Sequence, residues 1–168
     1  MKKLATLIGA SLISLLLASC GGGTASGPAH HTPEGQAFSY RQAVMRGLAY
    51  KVGQARAMAQ GEIPADNAAF AKHANDVAAL AGMVTEGFIP NSAVAGSAAL
   101  PEIWTNMPDF QMKAADLQNA ATALATAASQ QGFEAAKGMV QAVGQTCRGC
   151  HRPYRQRGQD EQKPSVRG

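Results

Sequence analysis

At 168 residues the chain has room for one domain and some extra length, but not for two comfortable ones. Hydrophobic residues make up 46% of it and aromatics only 5%, and much of the apolar share is alanine, so the composition predicts an all-α protein of thin, closely approaching helices. The formal charge of +4 falls to +2 once Lys2 and Lys3 are set aside with the leader described next, and no basic stripe interleaved with aromatics marks a nucleic-acid partner.

The amino-terminal segment reads as an address. Met1-Lys2-Lys3 is a short positive start, Leu4 to Leu17 is almost entirely apolar, and Ala18-Ser19 leads to Cys20. The apolar run is short for a membrane span and has the layout of a secretory signal, over residues 1–19. Leu17-Ala18-Ser19-Cys20 resembles the lipobox of bacterial lipoproteins, which implies lipidation at Cys20 and an anchor of several acyl chains. An ordinary signal peptide with a chance cysteine is the bland alternative. Gly21, rather than an aspartate, after Cys20 favours the outer membrane. Residues 20–33, rich in Gly, Ser, Ala and Pro, read as a flexible tether, in which His30 and His31 need no special role.

Four stretches then carry apolar residues at helical spacing. The first, 34–60, places Phe38, Met45, Val52 and Ala59 seven apart and ends at Gly61. The second, 64–85, opens on Pro64 and carries Phe70, Val77, Leu80 and Val84. The join from Glu86 to Asn106 is long for a compact domain and is expected to cover something. It holds the single tryptophan, Trp104. The third stretch, 107–130, has Pro108 and Asp109 in its first turn, then Phe110, Leu117 and Leu124. The fourth, 133–156, aligns Phe133, Val140 and Cys147, with Ala136, Val143 and Cys150 beside them. Four such helices with short joins near 61–63 and 131–132 predict an antiparallel four-helix bundle over 34–157. Residues 158–168 read as a polar, frayed tail.

Cys147-Arg148-Gly149-Cys150-His151 is the attachment pattern of a c-type haem. On a helix, residues three and four apart share a face. Two thiols can therefore bond to the vinyl groups at one porphyrin edge while the next imidazole reaches the iron. Because both cysteines continue the apolar seam, the chemistry is expected inside the bundle. Zinc would need two more ligands, and His30, His31 and His73 offer no paired motif. A redox dithiol belongs beside a βαβ unit, for which no strand-like alternation exists. A structural disulfide leaves His151 unexplained. One cysteine for lipid and two for thioethers leaves none over, so the motif predicts one covalent haem c.

A CxxCH motif in the last helix of a four-helix bundle resembles the class II cytochromes c, that is, cytochrome c′ and its low-spin relatives. The resemblance rests on Arg41-Gln42-Ala43-Val44-Met45, Pro101-Glu102-Ile103-Trp104 and the run from Cys147 to Arg155. It implies a low-spin member in which His151 and Met45 ligate the iron. Met45 as core filler is the alternative, and would leave an open iron face. His73 is far more simply a half-buried histidine, and Met58, Met83, Met107, Met112 and Met139 read as packing. Arg41 sits on the seam one turn before Met45, where an unpaired charge is costly, and a haem propionate is its expected partner. Its alternative is an arginine with a packed stem and a solvated head. Arg155, four residues after His151, is expected near the proximal side, and Trp104 and Phe110 against the porphyrin edge or in the ordinary core.

The function expected from this constellation is electron transfer, not catalysis, at the periplasmic side of a bacterial membrane, with redox proteins of the cell envelope as partners. The rival is a five-coordinate cytochrome c′ that binds nitric oxide or carbon monoxide. A peroxidase finds no distal His/Arg pair for acid–base work. The resemblance implies a homodimer through the first two helices, which the alanine-rich faces permit without requiring it.

Overall fold

The computed structural model describes residues 31–158. Residues 1–30, on which the expected signal peptide, Cys20 and most of the expected tether fall, and residues 159–168 of the expected tail lie outside them. Among the described residues six α-helices run in the order α1 (Pro33–Ala59), α2 (Asn67–Ala81), α3 (Glu102–Thr105), α4 (Met107–Gln131), α5 (Phe133–Ala136) and α6 (Val140–Tyr154). A 3₁₀ turn, Lys137–Met139, joins α5 to α6. The expected four-helix bundle is present. Helix α2 packs on α1 and α4, and α6 packs on α4 and α1, which closes the ring. Among the described residues no strand forms, and no helix is long and apolar enough to cross a membrane.

Local chemistry sets the helix ends. Thr32 caps α1 by accepting from the Gly35 amide at 3.1 Å. Asp66 does the same for α2, accepting from the Ala69 amide at 2.8 Å. Each such cap contributes about 1 kcal/mol. The second helix therefore starts at Asn67, not at the expected Pro64, because the aspartate side chain is the better start signal. It also stops at Ala81, and turns take the chain on to Gly87. The fourth stretch is not one continuous helix either. Gly138 weakens the helix locally and lies in the tighter 3₁₀ turn. Its far end falls at Tyr154 rather than 156, because Pro153 lacks an amide hydrogen and its ring crowds the preceding turn.

The core follows the seven-residue lines. Phe70, Ala74 and Val77 of α2, Ala121 of α4, and Ala136 and Val143 of the fourth stretch are fully buried. Phe70 meets Phe133 edge to face, with ring centroids 5.0 Å apart. Such a pair contributes about 1 kcal/mol beyond its burial. The turn into α5 needs glycine. Gly132 has φ of 82°, and a Cβ there would sit 3.0 Å from Asn67 Oδ1, which accepts from the Phe133 amide at 2.8 Å.

The long join packs against Arg41 of α1 and against the exit of α6. It carries the short α3, and its stretch from Ala98 to Leu100 pairs with the exit of α6. The Leu100 amide donates to Tyr154 O at 3.0 Å and the Gln156 amide to Ala98 O at 2.8 Å. These bonds form an isolated antiparallel bridge between Ala99 and Arg155.

Candidate functional site

A cavity of about 410 Å³ opens between α1, α6 and the long join. Phe38, Arg41 and Met45 face it from α1, Phe88 and Ser97 from the join, and Cys150, His151 and Tyr154 from α6. The wall is mainly apolar, with arginine at its margins, which suits a flat apolar macrocycle carrying carboxylates. The residues present fit a haem.

Helical spacing explains the α6 edge. Tyr154 lies four residues after Cys150 and three after His151, so it shares a face with both. Cys147 and Cys150 are half-buried and pack against the core, at its margin rather than deep within it. His151 is exposed. Burial pushes both thiols up, Cys150 to about 11, so they are neutral at neutral pH. They are not joined in a disulfide. Among the described residues no group of three His, Cys, Asp or Glu side chains could hold a metal ion.

Met45 is half-buried in the α1 wall of this cavity. His73 is elsewhere, on α2 near Lys51 and Lys72. Burial first and the Lys51 charge second lower its pKa. It does not line the cavity.

Arg41 is only 5% exposed, and its partners were not foreseeable from the sequence. Its guanidinium donates to Gly87 O at 3.0 Å, to Ser92 O at 2.5 Å and to Ser97 Oγ at 2.9 Å. It also lies over the Phe38 and Phe88 rings, 5.1 and 5.2 Å from their centroids. Burial lowers its pKa. Arg41 thus ties the join to α1 at the rim of the cavity. The backbone must come very close here: a Cβ on Gly87 would stand 2.7 Å from Arg41 Cβ and 2.9 Å from Ala37 O.

Trp104 is half-buried behind this wall. Its indole donates to Ile89 O at 2.8 Å and its ring lies 6.2 Å from Phe88, so it supports the lining without joining it. Phe110 does line the cavity, edge-on to Phe88 at 4.7 Å and to Tyr154 at 5.5 Å. Arg155 is exposed at the margin.

Sequence reasoning missed Tyr154, although it continues the line Val140, Cys147 by another seven residues. Its hydroxyl donates to Asp109 Oδ2 at 2.5 Å, and Lys113 stands 3.6 Å from the same carboxylate. The hydrogen bond to Asp109, then burial, raise the Tyr154 pKa from its ordinary 10.0 to about 12. A raised pKa means that this contribution to stability is complete below pH 10 and is lost as pH climbs to 12. The urea midpoint of the wild type is therefore expected to fall across that window more steeply than that of Tyr154→Phe. Parallel pH profiles for the two would refute the bond.

A family model described as Cytochrome C′ matches residues 36–155. Cytochrome c-554 of Cereibacter sphaeroides is 31% identical over 121 residues, spanning 70% of this chain and 90% of that protein. Cytochrome c prime from Shewanella frigidimarina superposes with a TM-score of 0.70 at 37% identity, covering 76% of this chain and 98% of that one. The nitric oxide complex of a mutant cytochrome c prime from Alcaligenes xylosoxidans gives 0.69 at 26% identity, over 76% and 98% of the two chains.

Proposed function

Because the chain belongs to the cytochrome c′ family, we propose that it is a lipid-anchored electron carrier of the cell envelope, low-spin through His151 and Met45. The cofactor is covalently attached haem c, and Cys147 and Cys150 are consistent with its attachment motif. The group supplies an iron that cycles between ferric and ferrous states.

In this reading Cys147 and Cys150 would hold the porphyrin to α6, and the His151 imidazole and the Met45 thioether, from α1, would ligate its iron. The observation that carries the reading is that Met45 and His151 line one cavity from two different helices. A soft thioether raises the potential and closes the iron to small ligands. Phe38, Phe88 and Phe110 keep water from the macrocycle, and burial of this kind tunes the potential. No bond in a substrate is made or broken. The anchor at Cys20 and the signal at 1–19 belong to the same proposal, as does a homodimer through α1 and α2.

The second reading is a five-coordinate protein that binds nitric oxide or carbon monoxide on an open face. It is favoured by the likeness to the Alcaligenes protein, a mutant of which forms a nitric oxide complex. Ferric paramagnetic resonance and optical spectra of the holoprotein separate the two. A low-spin ferric signal with no rapid carbon monoxide adduct of the ferrous form is expected. A high-spin signal with ready carbon monoxide binding would replace the electron carrier with the gas binder.

A further inference from the structure

The exit of α6 carries an unbalanced charge. From Val140 to Gly158 the sequence holds four arginines, Arg148, Arg152, Arg155 and Arg157, and no carboxylate. All four are exposed, and together with His151 they line one depression of about 600 Å³. Two local geometries bring them there. Arg148, Arg152 and Arg155 follow one another at helical spacing of four and three. Beyond the helix, Arg155 is extended, at φ −122° and ψ 129°, and two-residue alternation returns Arg157 to the same side. The Ala99–Arg155 bridge pins this segment to the long join, so the cluster is built onto a fixed backbone. Among the described residues, none of the four takes part in an ion pair. Arg46, on the rim of the neighbouring cavity, extends the positive margin toward α1.

Four like charges gathered with no carboxylate paired to them among the described residues repel one another, and an anionic partner seated there would relieve that repulsion. We propose that this depression is the docking surface for an acidic electron-transfer protein, whose projecting carboxylates enter it and pair with the guanidinium forks. The inference rests on the electron-carrier reading and adds the partner's chemistry to it. The cluster surrounds His151, so a partner held there faces the edge of the haem site. One electron then leaves the partner's reduced centre and converts ferric to ferrous iron, with no bond formed and no proton moved. A concave patch suits protruding carboxylates better than the flat phosphate plane of a bilayer, and a bidentate fork matches a carboxylate closely. Long-range attraction of this kind acts mainly on the association rate and fades with salt.

The test compares the ferric wild-type holoprotein with Arg148→Gln/Arg152→Gln, after matching haem absorbance and helical circular dichroism. Reduction is followed by stopped flow with an acidic flavodoxin hydroquinone and, separately, with the cation hexaammineruthenium(II). The double variant is expected to lower the flavodoxin rate about tenfold at low salt, lose most of its salt dependence, and leave the ruthenium rate equal or higher. Any shift of potential caused by the substitutions acts on both reductants alike, so the ratio of rates reports charge recognition. Binding of the oxidised flavodoxin, measured by calorimetry at low salt, is expected to weaken in the variant in parallel. Equal flavodoxin rates and equal binding in the two proteins would overturn the proposal. So would charge-dependent binding to phosphatidylglycerol vesicles with unchanged flavodoxin affinity, which would assign the patch to the membrane. If the iron proves too sluggish for both reductants, the electron-carrier reading fails, and the calorimetric comparison still decides whether the patch recognises acidic protein.

Discussion

Replacing Met45 with leucine is expected to turn the ferric holoprotein from low-spin to high-spin, lower its midpoint potential and open the ferrous form to carbon monoxide. The side chain is half-buried in the α1 wall, on the cavity that also holds His151. Leucine keeps its volume and apolar character, and such swaps cost less than about 1.5 kcal/mol. A large spectral change with a small change in the urea midpoint would therefore report loss of the sulfur and not loss of packing. Axial ligands set haem potentials over a range of roughly 0.8 V, so removing a methionine ligand is a large perturbation by comparison. Met45→Ala is expected to give the same spectra, with additional destabilisation from the emptied space. If Met45→Leu leaves the ferric spectrum and the potential unchanged, Met45 is packing alone and does not ligate the iron.

Replacing Arg41 with alanine is expected to detach the long join from α1 and destabilise the protein by about 2–4 kcal/mol. Three hydrogen bonds disappear, and the carbonyls of Gly87 and Ser92 lose the donor that satisfies them. Each bond to a charged group contributes about 1.5–3 kcal/mol, but the variant is also relieved of the cost of burying a guanidinium, so the net falls below the sum of three. The stacking of the guanidinium between Phe38 and Phe88 is lost as well. Urea unfolding reads the stability, and hydrogen exchange reads the join: amides near Gly87 to Ser97 should exchange faster while those of α2 and α4 keep most of their protection. Arg41→Lys restores one charge but not the planar fork, so it should rescue little of this. Gly87→Ala attacks the same contact from the other side and is expected to have the same exchange signature. Wild-type exchange across 87–97 in Arg41→Ala would show that the join holds itself in place.

The spectral prediction stands on the arrangement of helices, and the exchange prediction on the loop that crosses them. These two parts of the molecule were unequally legible in the sequence. Helix phases are local matters. The apolar residues seven apart in the first stretch, from Phe38 to Val52, and the run Phe133, Val140, Cys147 already define which faces must be buried, because a 3.6-residue turn repeats the same side chains on the same side. The haem motif is local too: its thiols and imidazole share a face by spacing alone. Errors arose where short-range signals competed, as at Asp66 against Pro64, and at Pro153 within an otherwise periodic helix.

Contacts made far along the chain were not legible. The position of Arg41 on the seam shows that its charge needs a partner, and a haem carboxylate is the expected one. The partners this structure gives it, Gly87, Ser92 and Ser97, lie 46 to 56 residues away on a loop with no periodicity to reveal its path. Tyr154 and Asp109 meet across 45 residues for the same reason. The amino-acid sequence by itself determined the helical class, the seams and the haem-binding motif, since these depend on spacing within a few turns. Only the tertiary structure decided how the long join closes over the cavity and that it pins the segment leaving α6, because both depend on which distant backbone groups the packed bundle brings within hydrogen-bonding reach.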